Sequence, residues 1–257
     1  MNRIKQLFDD KGEDILSIYF TAGYPSVEKT VPILKALQSS GADLVEIGMP
    51  YSDPVADGPT IQDSNQQALA GGMSIKKLFE QLSGIRDEID LPLILMGYIN
   101  PIIQFGIEQF CQYCEKAGID GLIIPDLPMF EYRTLYKDLF EKNGLLNIFL
   151  ITPQTSEARI KEIDEVSDGF IYMVSSASIT GAKGQISDDQ IKYFDRVEAL
   201  KLTNPRLIGF GISNRETFRK ACEHANGAII GSAFINLLKN SKNIQDDIHS
   251  FIGSIKH

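Results

Sequence analysis

Residues 206–233 read RLIGFGISNRETFRKACEHANGAIIGSA. A short apolar run, 206–210, ends in Gly211-Ile212-Ser213. Phe218, Ala221, Cys222 and Ala225 then recur at i, i+3, i+4 and i+7, which is one apolar face of a helix. A second apolar run, 228–230, ends in Gly231-Ser232-Ala233. Runs this short and this uniformly apolar suit strands buried on both faces of a parallel sheet. The stretch therefore reads as strand, helix, strand.

The same rhythm extends back along the chain. Further strand candidates lie at 16–20, 43–47, 93–96, 121–124, 147–151 and 169–174, which makes eight in all. Helical faces recur between them, as at Ile107, Phe110, Cys111 and Cys114, and at Tyr132, Leu135, Tyr136 and Leu139. Pro32 fits if its helix starts near Thr30, so that it falls in the first turn. Eight β–α units in 257 residues specify a TIM (β/α)8 barrel. A doubly wound open sheet is the alternative. Near-regular units without a domain break favour closure, as one domain over residues 1–257. Two long connections, 48–90 and 175–204, follow strands, so a barrel places both on its catalytic face.

Composition narrows the function. Lys and Arg number 25 against 34 Asp and Glu, a net charge of −9. That balance argues against a nucleic-acid binder, which needs a basic surface. An anionic small substrate stays possible, because a local site can oppose the global charge. No run approaches the ~18 apolar residues of a membrane span, and residues 1–10 lack the apolar core of a signal peptide. Three Cys are no disulfide framework, so a reducing cytoplasm is expected.

Three stretches carry chemistry. In residues 45–59, VEIGMPYSDPVADGP, Glu46 stands near the end of the second strand inside an apolar run. A buried carboxylate is costly without a partner or a task. Asp57 follows in a loop held by Pro50, Pro54, Gly58 and Pro59. Two carboxylates in different settings can take different pKa values and roles; a Glu46–Lys pair and a plain turn at Asp57 are the structural alternative. Next, the glycines after strands seven and eight, Gly209, Gly211 and Gly231, with Ser232 at a helix start, match the phosphate site of barrels. Lastly, residues 175–187, SSASITGAKGQIS, read as a substrate lid or, on composition alone, better as a surface loop. Cys111 and Cys114 lie on an apolar stripe and suit core packing rather than metal. His224, His249 and His257 form no ligand pattern, and no motif for ATP, NAD or metal is present.

Residues 45–62, VEIGMPYSDPVADGPTIQ, resemble the signature of the tryptophan synthase alpha-chain family. So do FTAGYP at 20–25, GYINP at 97–101, IPDLP at 124–128, Thr180-Gly181, GFGIS at 209–213 and Gly231-Ser232-Ala233, in the family's order across nearly the whole chain. The resemblance implies a single barrel that cleaves indole-3-glycerol phosphate to indole and glyceraldehyde 3-phosphate. It implies that Glu46 is the acid–base residue and that Asp57 binds the indole N–H. Gly181, Gly211, Gly231 and Ser232 match the phosphate site, and Tyr172 and Thr180 match residues at the substrate and closing loop. It further implies an αββα complex with a beta chain that carries pyridoxal phosphate, none being bound by this chain. Pro50 and Asp53 are the expected contacts with that partner. Tyr19 and Tyr51 depart from members that carry Phe, each adding a hydroxyl near the expected indole pocket or its adjoining loop. Indole-glycerol-phosphate synthase and phosphoribosylanthranilate isomerase are other phosphate-binding barrels, but neither family carries the Ser52-Asp53-Pro54…Asp57-Gly58-Pro59 loop. A barrel kept only to regulate a partner has no need of both Glu46 and Asp57.

Overall fold

The structure is a computed structural model that describes residues 2–54, 57–175, 186–209 and 211–257. Its eight strands are β1 (Ile15–Thr21), β2 (Leu44–Gly48), β3 (Leu93–Met96), β4 (Gly121–Ile123), β5 (Leu146–Ile151), β6 (Ile171–Val174), β7 (Arg206–Gly209) and β8 (Gly227–Ile230). All neighbours pair in parallel, and β8 returns to β1, closing the sheet into a barrel. The open-sheet alternative is thereby excluded. The expected strands are all present, and their ends move by a residue or two. Expected position 169, for instance, precedes the ladder, because β6 first meets β5 where Ile171 pairs with Phe149.

Helices wrap this barrel. In chain order they are α1 (Arg3–Asp10), α2 (Thr30–Ser40), α3 (Pro59–Ala70), α4 (Ile75–Gln81), α5 (Ile99–Phe105), α6 (Ile107–Ala117), α7 (Met129–Glu131), α8 (Lys137–Lys142), α9 (Glu157–Val166), α10 (Asp188–Glu198), α11 (Arg215–Cys222), α12 (Ser232–Asn240) and α13 (Ile244–Lys256). Helix α2 starts at Thr30, and Pro32 sits in its first turn, where a missing N–H costs nothing. Phe110, Cys111 and Cys114 are fully buried on the inner face of α6, as core residues.

One helical face differs from expectation. Leu135 is 63% exposed, although Tyr132, Leu135, Tyr136 and Leu139 share a 3.6-residue stripe. Residues Tyr132–Tyr136 form a π-helical turn, with the Lys137 N–H donating to the Tyr132 carbonyl. The wider turn shifts the phase of every later side chain.

Strand parity sorts the barrel interior, since alternate residues share a face. Tyr19 pairs in register with Glu46, and Thr21 with Gly48. The Ser17 hydroxyl bonds Glu46, which puts this parity on one face of the sheet. Tyr172 of β6 feels the charges of Glu46 and Asp57 and the Tyr19 hydroxyl from the other side of the barrel, so that face is the interior. Two interior glycines make room for the interior tyrosines: a Cβ at Gly48 would overlap the Tyr19 hydroxyl, and one at Gly209 would overlap that of Tyr172. At the opposite end, Ile4 of α1 packs over Gly121. The Asn2 side chain holds α1 there by donating to the Asp120 carbonyl at 2.8 Å. Asp120 is buried but partnered by Arg86 at 2.6 Å and Arg3 at 3.1 Å. That end is thus plugged, and the end carrying the loops after the strands is left for ligands.

Candidate active site

Glu46 is fully buried in the wall of β2. Its Oε1 accepts a 2.8 Å hydrogen bond from the Ser17 hydroxyl on β1. Its Oε2 has no hydrogen-bond partner among the described residues. Burial pushes this carboxyl up from 4.5 to about 8, and the Ser17 bond only partly opposes the rise. No Lys pairs with it among the described residues. At neutral pH Glu46 therefore favours its protonated form, with one oxygen buried and without a hydrogen-bond partner among the described residues.

Asp57 lies in the connection between β2 and α3. Its Oδ2 accepts a 3.1 Å hydrogen bond from the Tyr98 hydroxyl, at the end of β3. Burial raises this carboxyl to about 6, and the Tyr98 bond draws it back. The two carboxyls are thus set apart: near pH 7 one is mostly neutral and the other mostly charged. The Tyr51 ring packs on Tyr98 with centroids 5.3 Å apart, and its hydroxyl accepts from Asn100 at 3.4 Å. The extra hydroxyl at Tyr51 is therefore spent on α5. That of Tyr19 stays inside the barrel, 3.4 Å from the Thr21 hydroxyl. Burial, reinforced by Asp57, holds the Tyr19 proton on its oxygen throughout the working pH range.

Glycines after β7 and β8 form the other end of the mouth. Gly211 has φ +79°, which favours glycine, and among the described residues a Cβ there would meet nothing nearer than 4.0 Å. Gly231 caps α12, and Ser232 is the first residue of that helix. The first N–H groups of this nine-residue helix have no intrahelical partner, and its dipole favours an anion at that end. The Tyr19 ring lies 3.5 Å from where a Cβ of Gly231 would stand, so one side chain spans from the glycine end to the carboxyl end.

The structure thus gathers Glu46, Asp57, Tyr172, Gly211, Gly231 and Ser232 at one end of the barrel. Pro50 and Asp53 lie on the Asp57 connection, where Ser52 donates to the Asp53 carboxylate at 2.5 Å. Thr180 and Gly181 fall outside the described residues. Sequence reasoning missed Ser17 and Tyr98. Ser17 was findable as a polar residue two positions before Tyr19 on one strand face. Tyr98 lies two residues past the end of β3, where barrel chemistry sits. It also missed that His224 approaches the outer-helix residue Asp195 at 3.4 Å. With Glu198 these form a group whose ligating atoms lie within 4.8 Å of one another.

Comparison with known proteins agrees with this fold. The family model for the tryptophan synthase alpha chain matches residues 6–254. The tryptophan synthase alpha chain of Flavobacterium psychrophilum is 56% identical over 256 residues, covering 99% of this chain and 100% of the relative. That of Bacteroides thetaiotaomicron is 52% identical, with full coverage of both. Among solved structures, tryptophan synthase subunit alpha from Legionella pneumophila superposes with a TM-score of 0.88 at 33% identity, covering 99% of this chain and 97% of that one. A tryptophan synthase chain from Mycobacterium tuberculosis superposes at 0.89 and 31%, covering 99% and 96%. Sequence signature, barrel and relatives agree along the whole length, and the chain belongs to the tryptophan synthase alpha-chain family.

Proposed function

We propose that Glu46 moves the protons and Asp57 stabilises the charge in the reaction of this family. The chain is a carbon–carbon lyase: it cleaves indole-3-glycerol phosphate to indole and glyceraldehyde 3-phosphate, and indole passes to the beta chain for tryptophan synthesis. The step is a retro-aldol cleavage. A proton is added at indole C3, which places positive charge on the ring nitrogen. The hydroxyl on the adjoining side-chain carbon then gives up its proton and becomes the aldehyde. The bond to C3 breaks, and its electron pair restores the neutral indole.

A carboxyl that stands protonated at neutral pH can deliver the first proton and, once ionised, accept the second. The observation that carries this reading is the buried Glu46 carboxyl, raised to about 8, with Oε2 unpartnered. Asp57, ionised near neutrality, stabilises the charge that develops on the indole nitrogen. Gly211, Gly231 and Ser232 hold the phosphate, far from the breaking bond, so that binding energy there orients the reacting end. Tyr172 lines the pocket. Thr180 and Gly181, outside the described residues, are assigned to the closing loop and the phosphate.

The family works with the beta chain. An αββα assembly is the expected form, contacted through Pro50 and Asp53. Pyridoxal phosphate belongs to the beta chain, and this chain is expected to work without a cofactor. No helix of the described residues is long and apolar enough to cross a membrane, which accords with a cytoplasmic place.

The test is lyase turnover of indole-3-glycerol phosphate by the wild type and Glu46→Gln, which keeps shape and loses proton transfer. A loss of ~10²-fold or more is expected. Activity within a few-fold of wild type in a folded variant refutes the assignment.

A further inference from the structure

The signature stretch ends on Gln62, a residue with no role so far. It lies one turn into α3, half-buried, and its side chain turns back toward the Asp57 connection. The Nε2 group donates to the Asp57 carbonyl at 2.8 Å and approaches the Pro54 carbonyl at 3.5 Å. The Asp57 N–H also points to the Pro54 carbonyl, at 3.4 Å. One amide thus reaches both flanks of the segment that carries the carboxylate.

We infer that Gln62 is a positioning residue for the lyase reaction, a clamp that fastens the backbone of Asp57 to helix α3. This rests on the role given to Asp57 above.

The clamp is useful only if its base is fixed, and α3 is fixed to the barrel. The Ser64 hydroxyl lies 2.6 Å from that of Thr21 at the end of β1 and 2.7 Å from the Ile61 carbonyl. Thr21 and Ser64 are both fully buried, and a buried, satisfied hydroxyl pair is costly to break. Tyr19 extends this chain of hydroxyls into the barrel interior. The carboxylate of Asp57 is thereby held from two directions. Tyr98, from the end of β3, takes its Oδ2, and Gln62, from α3, takes its backbone.

The residue type fits the task. A primary amide offers two N–H donors, enough for two carbonyls. Glutamine also has the reach to pass back over the start of its own helix. Methionine has the same length and no donor. Without the clamp, the Asp57 segment loses its tie to α3 and its carboxylate keeps the Tyr98 bond, and small misplacements of a charge-stabilising group reduce rate steeply.

The experiment compares Gln62→Met, Asp57→Asn and the double variant, each with saturating beta chain. Lyase kinetics are measured together with glycerol 3-phosphate affinity by calorimetry and thermal melting. Gln62→Met is expected to lower kcat and kcat/KM together by ~10-fold. Glycerol phosphate affinity and melting temperature should hold, since the phosphate end lies across the mouth. In the Asp57→Asn background the same substitution should change turnover by less than ~2-fold, because a residue that acts through Asp57 has nothing left to position. A merely structural Gln62 gives the same ~10-fold loss in both backgrounds, or weakens phosphate binding in step, and either result overturns the inference. Loss with Asp57→Asn but none with Gln62→Met overturns the clamp alone. Wild-type turnover in Asp57→Asn removes the role of Asp57, and the clamp with it.

Discussion

Glu46→Gln should make the protein less active and, as pH rises, relatively more stable. The carboxyl is fully buried, and burial raises it from 4.5 to about 8. Below pH 4.5 folded and unfolded states both hold the proton, and Glu46 makes its full contribution to stability. Between 4.5 and about 8 the unfolded chain releases the proton while the folded chain keeps it, so folding weakens as pH rises. At 1.36 kcal/mol per pH unit, the loss across this whole window is on the order of 5 kcal/mol. Glutamine keeps an oxygen for the Ser17 hydroxyl and does not titrate, so its own cost is independent of pH. The stability gap between variant and wild type should therefore move in the variant's favour by ~1.4 kcal/mol per pH unit from about pH 5 to about pH 8. Urea titrations at steps through that range measure it, alongside the ~10²-fold loss of turnover. Stability profiles that run parallel would mean that Glu46 ionises freely inside the barrel. The general-acid argument would then fail, whatever the turnover.

Asp57, raised to about 6 by burial, should give kcat/KM a rising limb near that pH, and Glu46 a falling limb near 8. Asp57→Asn should remove the rising limb and lower kcat and kcat/KM alike, whereas a raised KM alone would mean ground-state binding. Gly211→Val puts a branched side chain at φ +79°. It should weaken glycerol phosphate binding strongly and leave indole binding unchanged by calorimetry, while equal weakening of both would indicate general misfolding. Addition of the cognate beta chain should raise lyase turnover by at least ~10-fold, about 1.4 kcal/mol of barrier. Unchanged turnover would make this chain a self-sufficient lyase.

The barrel was legible because its signals are local. A short apolar run bounded by glycine or by an amphipathic helix shows its class within about ten residues, and eight such units have few closed arrangements. Glu46 was legible for a related reason: a carboxylate inside an apolar strand is an anomaly that sequence alone displays. Its protonation was not legible. That depends on complete desolvation by the barrel, which outweighs the opposing hydrogen bond from a hydroxyl 29 positions away, at Ser17. The orientation of Asp57 depends on Tyr98, 41 positions away. The exposure of Leu135 depends on one π-helical turn. Gly48 and Gly209 read as ordinary strand-end glycines until the tyrosines they accommodate are seen leaning across from neighbouring strands. Periodicity is set by neighbours along the chain, so one dimension carries it. Desolvation, hydrogen-bond geometry and steric room are set by neighbours in space, and only the closed barrel brings those together.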